Sequence, residues 1–260
     1  MQNDSSDTET NLTKRSKKWM APVSLLAVGV LYFASQIVGG AIVYLYPAIR
    51  GWSADQTSQW VTTSIFAQFL YILISEAVLV VAIYGLLKMF AWSWQTIGLI
   101  KPKLSHIGLG ILAVVPYFTL YVIIVMLVQL FYPALNTGQA QQLGFGATKN
   151  TLELLLVFLS LVVLPPLVEE VTVRGFLYSG LRTKFSKIVS ALLVSGVFGL
   201  AHLSQGGAAG PLWIGFIDTF TLSLVLVFLR EKTGNLWAGI TLHAIKNGVA
   251  FVSLFVLHVR

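Results

Sequence analysis

Seven long apolar runs, separated by short polar segments, decide most of what this 260-residue chain can become. A helix that crosses the hydrocarbon of a bilayer needs about 20 mostly apolar residues. Its backbone N–H and C=O groups cannot stay unpaired there, so such runs must be helical. They extend from Ala21 to Tyr46, Val61 to Leu87, Ile107 to Tyr132, Leu152 to Arg182, Ile188 to Leu203, Leu212 to Leu229 and Leu236 to Leu257. The fold class expected is therefore an all-α, polytopic transmembrane bundle of about seven spans, within a range of six to eight. Only 10% of the residues are charged and the mean hydropathy is +0.80. A water-facing surface needs more charge, since soluble domains carry about 25%.

The absence of cysteine excludes disulfides, thiolate catalysis and Cys-ligated zinc. A formal net charge of +7 raises the question of nucleic acid. However, the basic residues sit between the apolar runs rather than on one face, which is a pattern of topology and anionic headgroups. No nucleic-acid partner is expected. Residues 1–18 are polar, end in Lys14, Arg15, Lys17 and Lys18, and read as a disordered cytoplasmic tail. The run that follows is too long for a signal-peptide core and reads as a retained span.

Lys88, Lys101, Lys103, Arg182, Lys184, Lys187, Arg230 and Lys232 all fall on the same side as the N-terminal cluster. The opposite loops are poor in Lys and Arg, so the positive-inside rule places the N-terminus in the cytoplasm and Arg260 on the far side. Trp19, Trp52, Trp60, Trp92, Trp94, Trp213 and Trp237 lie near span ends, as an interfacial aromatic belt requires.

The fourth run is the unusual one. As a helix it would be roughly 46 Å long, against a hydrocarbon core of about 30 Å. Pro165-Pro166 interrupts it, removing two backbone donors and forcing a kink or break. Just beyond stands Glu169-Glu170-Val171-Thr172-Val173-Arg174. Each ionisable residue in a span costs at least about 2.5 kcal/mol, so each needs a reason. Glu170 and Arg174 are spaced to form an i,i+4 ion pair. Glu169 lies about 100° around the helix and is left free to react.

Two further polar features follow. His202 closes the fifth run, and a hairpin centred near Phe185 and Ser186 sets it opposite Glu169, each roughly 25 Å from the turn. His243 and Asn247 are one turn apart on the last helix and share a face. Each feature alone has a packing explanation, such as interhelical hydrogen bonding. Two of only four histidines, a free carboxylate and an Asn converging inside one bundle have a catalytic one.

Glu169-Glu170-x-x-x-Arg174-Gly175-Phe176-Leu177-Tyr178, then Phe198-x-x-x-His202, then His243-x-x-x-Asn247 resembles the three-motif signature of the CPBP intramembrane proteases. That family includes CAAX-processing enzymes and bacteriocin-processing or self-immunity proteins. Gly234-Asn235-Leu236-Trp237 also resembles the family's lead-in to the third motif. The likeness covers about residues 150–250 and divides the chain into a tail (1–18), N-terminal transmembrane helices (19–149) and a CPBP-type catalytic core (150–260).

The resemblance implies an intramembrane endopeptidase acting on a membrane-associated peptide or lipidated protein. Glu169, helped by His202, would activate water. His243 and Asn247 would donate to the oxyanion, and Glu170 and Arg174 would hold the geometry. No cofactor is favoured. The alternative is zinc held by Glu169, His202 and His243, as in hydrolytic His₂Glu sites, although no His-Glu-x-x-His helix is present. Hairpin symmetry about Lys232 pairs Asp218 with Lys246 as a structural ion pair. Glu76 either lines the substrate cavity or sits protonated against another helix. The rival readings are a proton-coupled transporter and a catalytically silent immunity or scaffold protein of the same family. A bacterial plasma membrane is the expected location; substrate identity and oligomeric state are not written in the residues.

Overall fold

The computed structural model describes residues 4–146 and 148–258, and every regular element among them is helical. Seven helical stretches are long and apolar enough to cross a membrane: Met20–Ile49, Ile65–Met89, Leu104–Phe131, Thr151–Leu181, Lys187–Gly207, Trp213–Thr233 and Trp237–Val256. The protein is an integral membrane protein. The sixth span is the most enclosed, with 44% of its apolar window buried, whereas the third has only 11% and lies at the periphery.

Helix α1 (Asp4–Ile49) carries the first span. Its backbone stays helical through residues 4–18, where an unstructured tail was expected, because extending a nucleated helix needs no second nucleus. Residues 1–3 of that tail, Arg260, and the side chain of Trp19 lie outside the described residues. A short helix, α2 (Ala54–Thr63), precedes α3 (Ile65–Met89), and the Ser64 side chain caps the latter by accepting from Ala67 N–H. The third span is bent: α4 (Leu104–Leu112) passes into α5 (Val114–Phe131) at Ala113. Pro116 lacks the N–H that the Leu112 carbonyl would otherwise receive, so the bend has a local cause.

The fourth span changes hydrogen-bond register instead of stopping. α6 (Thr151–Phe158) gives way to a π-helical turn at Leu159–Val163, then α7 (Leu164–Glu169), a second π-helical stretch at Glu170–Leu177, and α8 (Tyr178–Leu181). The interruption expected at Pro165-Pro166 thus takes the form of a register shift. Leu164 N–H bonds back to the Leu159 carbonyl just before the two donorless residues. Wide turns of this kind are typical of functional sites.

The remaining spans are α9 (Lys187–Ala201), α10 (Trp213–Thr233) and α11 (Trp237–Phe251), the last continued by a π turn at Val252–Val256. α9 and α11 both pack on α10, and α1 packs on α3 and α8. Glycine allows α4 to approach α11 closely: a Cβ on Gly110 would stand 2.5 Å from the Ala238 carbonyl of α11. At one end of the bundle lie the loops carrying Lys88, Lys101, Lys103, Arg182, Lys184, Arg230 and Lys232. At the other end the described loops hold only Arg50 and Lys149, beside a cluster of Tyr46, Trp52 and Trp60 with ring centroids 5.3–5.7 Å apart.

Candidate active site

Two adjacent glutamates on the fourth span lead different lives. Glu170 begins the second π stretch, is 1% exposed, and lies 2.9 Å from Nη1 of the fully buried Arg174. The Arg174 guanidinium is stacked 4.2 Å from the ring of Phe198 on α9, which gives the cation a second favourable neighbour away from water. Glu169 ends α7 with 30% of its side chain exposed, into a cavity of about 390 Å³.

His243 of α11 stands between the two carboxylates. Its Nδ1 is 3.2 Å from Glu170 Oε1 and its Nε2 is 3.7 Å from Glu169 Oε2. The first is hydrogen-bonding distance; the second is too long for a bond and leaves that oxygen open to the cavity. A carboxylate already paired with arginine can only accept, so Nδ1 carries the proton. The neutral form of this ring would turn a lone pair toward Glu169, and the imidazolium a second N–H. The close approach that makes this bridge depends on Gly239, one turn earlier, where a Cβ would stand 2.9 Å from Glu170 Oε2.

His202 caps the end of α9 and lines the same cavity. Its Nδ1 lies 2.8 Å from the Phe198 carbonyl, which can only accept, so this ring also holds its proton on Nδ1 and presents Nε2 outward. Both histidines therefore have the same tautomer. This matters for the oxyanion role expected of His243: its Nε2 can donate only as the imidazolium.

Asn247 is fixed by the proline pair. Its Nδ2 donates to the Leu161 carbonyl at 2.9 Å. That carbonyl is the one whose α-helical donor would be the N–H of residue 165, which proline lacks. The broken register of one span thus supplies the acceptor that orients a carboxamide on another. One amide hydrogen and the Oδ1 of Asn247 are left for the cavity, which Asn247 lines.

Asp218 and Lys246 meet at 2.8 Å between α10 and α11, with Lys246 on the cavity wall. Tyr117, buried on α5, donates to the other oxygen of Asp218, a contact that sequence reasoning missed. Glu76 is left by the sequence between lining the substrate cavity and sitting protonated against another helix. It lines the cavity from α3, with Oε2 buried and without a hydrogen-bond partner. Also missed were Phe198 as the stacking face for Arg174 and the Leu161 carbonyl. The latter was discoverable, because Pro165 stands four residues after it.

The structure thus brings Glu169, His202, His243 and Asn247 to one cavity, with Glu170 and Arg174 buried behind His243. Among the described residues no three His, Asp or Glu side chains are gathered closely enough to hold a metal ion, and the set Glu169, His202 and His243 is no exception. No curated protein and no solved structure matches the chain. A family model does, described as Rce1-like, type II CAAX prenyl endopeptidase, over residues 151–249. That stretch holds every polar residue just described except Glu76 and Tyr117. Over this segment, which is less than half of the chain, the protein is similar to the Rce1-like family of type II CAAX prenyl endopeptidases.

Proposed function

We propose that this protein hydrolyses a peptide bond within the membrane by water that Glu169 activates with the help of His202. The observation that supports the reading most is the division of labour between neighbouring glutamates. Glu170 is locked to Arg174 and to His243, while Glu169 opens to the cavity within 3.7 Å of the same imidazole. A water held by Glu169 gives that carboxylate its proton as its oxygen bonds to the peptide carbonyl carbon. The carbonyl π electrons pass to oxygen, and the remaining N–H of Asn247, with His243 as imidazolium, faces the oxyanion. Collapse of the intermediate breaks the C–N bond, and the proton taken up by Glu169 passes to the departing amine.

Each neighbour has a distinct task in this scheme. The Nε2 of His202 is the acceptor that can share the water. The Glu170–Arg174 pair fixes the ring of His243, and the Asp218–Lys246 pair braces α10 against α11. Removing a single oxyanion donor from a hydrolase costs about 10²–10³ in turnover, the loss expected of Asn247→Ala. The finer reading is a CAAX-type, leader-type or bacteriocin-type peptide as substrate, in a bacterial plasma membrane, with the N-terminus in the cytoplasm.

The test compares membrane peptides of cells carrying the wild-type protein with those carrying Glu169→Gln. The variant is expected to accumulate uncleaved substrate at unchanged protein level; persistent cleavage by Glu169→Gln overturns the base assignment. In the purified protein, activity that vanishes with chelator and returns with zinc would move Glu169 from base to ligand.

A further inference from the structure

The cavity is lopsided along the membrane normal. Its deep wall is made by Tyr32, Glu76, Glu169 and His243, near the middle of their spans. From there it runs toward the end of the bundle that is poor in Lys and Arg. Its rim there is formed by the exposed Ala140, Gln141 and Gln142 of the loop after α5, and by Gln205 after α9. That rim is a built structure: Gln142 N–H donates to the Gln205 carbonyl at 2.8 Å, and Gln68 of α3 donates to the Gly144 carbonyl at 2.9 Å. None of the lining residues belongs to the basic loops at 88–103, 182–187 or 230–236.

The basic end is closed to the site: the hollow there, lined by Trp92, Tyr178, Arg182 and Arg230 among others, shares no lining residue with the cavity of Glu169. The loop after α3 folds across it, with Leu236 N–H donating to the Gly98 carbonyl at 3.0 Å and the Trp237 indole to the Ile100 carbonyl at 2.8 Å. Asn235, fully buried, ties the same loop down through the Lys101 carbonyl at 3.3 Å and His106 Nδ1 at 2.9 Å. Beneath it Ile97, Phe176, Leu87 and Leu181 are buried in one apolar cluster. The packing is tight enough that a Cβ on Gly175 would come 3.1 Å from Ile97. A peptide reaching Glu169 from this end would have to dismantle that plug, and exposing even a few such side chains costs about 1.5–3 kcal/mol each.

The open end has a chemistry of its own. Gln36, Gln141, Gln142, Gln205 and Asn247 offer amide donors and acceptors, the complement of an extended peptide backbone. Its one lining lysine or arginine, Lys246, is paired with Asp218, so a terminal carboxylate finds no free Lys or Arg among the lining residues. The cavity also reaches the lipid-facing surface at Tyr32, which is 43% exposed near the middle of its span, so a chain within the bilayer can approach sideways.

We propose that the site takes its peptide from the face opposite the basic loops, which the positive-inside rule makes the non-cytoplasmic face. Its substrate is an internal stretch of an exported or membrane-anchored polypeptide at that face, rather than a cytoplasmic C-terminal tail. The proposal rests on the peptidase reading for the identity of the substrate. The direction of access rests on the cavity and the plug alone.

The native chain has no cysteine, so single cysteines report without background. Gln141→Cys marks the rim, Lys184→Cys the basic end, and Ser160→Cys and Ala250→Cys two points on the cavity wall. All are made in the Glu169→Gln protein as well, so that labelling does not depend on turnover. In intact bacterial cells a membrane-impermeant maleimide is expected to label Gln141→Cys, and to label Lys184→Cys only after permeabilisation. A small cationic methanethiosulfonate is expected to reach Ala250→Cys, the exposed one of the two wall positions, in intact cells. This position alone decides the outcome, since Ser160 is buried. An Ala250→Cys protein that reacts only after permeabilisation, or in neither state, overturns the proposal, as does the reverse pattern at the rim and the basic end. Membrane-peptide profiles that do not differ between wild-type and Glu169→Gln cells would instead remove the peptidase reading and leave the direction of access standing.

Discussion

Arg174→Met is expected to unfold this protein far more readily than any surface change, and the reason can be worked from the pair it breaks. Arg174 Nη1 and Glu170 Oε1 are 2.9 Å apart with both side chains buried. At an effective dielectric of about 20 their attraction is about 6 kcal/mol, which is set against the cost of taking both ions out of water. Removing the arginine leaves Glu170 buried beside His243 without its counter-charge. Breaking a buried pair in this way costs about 3–5 kcal/mol. For a chain of this size that is a fall of roughly 6–20 °C in midpoint.

The same reasoning makes a sharper claim about the double variant. Arg174 Nε and Nη2 and Glu170 Oε2 have no hydrogen-bond partner, so the pair does not fully recover its desolvation cost. Glu170→Gln with Arg174→Met removes both charges yet keeps an oxygen that can accept from His243. The double variant should therefore recover most of the lost stability. It should not recover cleavage, because an amide can turn its NH₂ to His243 and no longer fixes the tautomer. Thermal unfolding of the purified proteins in detergent, read beside peptide cleavage, separates the two effects. An Arg174→Met protein that melts with the wild type, or a double variant no more stable than the single, would refute the account of this pair as the brace behind His243.

Pro165→Ala restores the backbone donor aimed at the Leu161 carbonyl, so Asn247 must compete for an acceptor it now holds at 2.9 Å; cleavage should fall while the melting midpoint holds or rises, and an unaffected rate would discount the orienting bond. Gly239→Val places a side chain where Glu170 Oε2 already stands 2.9 Å from the Cβ position. It should push α11 off the carboxylate and abolish turnover, with full activity as the refuting result. Asp218→Asn strands Lys246 and weakens the Tyr117 contact, and loss of a hydrogen bond to a charged group is worth about 1.5–3 kcal/mol. Exchanging the two residues, Asp218→Lys with Lys246→Asp, should restore part of that in a thermal assay; no recovery at all would mean that the pair is not a brace.

How much of this was legible in the sequence differs from feature to feature, and the differences have physical causes. The spans were legible because hydrocarbon imposes length and apolarity on every crossing helix, whatever its neighbours. The Glu170–Arg174 contact was legible because four residues bring two side chains onto one helical face without help from elsewhere. Even the free Leu161 carbonyl is implied by the position of Pro165. By contrast, the sequence left Glu76 between two placements, assigned no partner to Tyr117 and gave His243 a donor role that its tautomer restricts. Each of these depends on the rotation and depth of one helix against another. In a soluble protein an apolar stripe betrays which face turns inward, but in lipid the outward face is apolar too, so that signal is lost. Only the packed structure sets these rotations, through contacts such as Gly239 on Glu170 and Gly110 on α11. It also decides the one thing composition could never reveal, which end of the bundle is plugged and which is open.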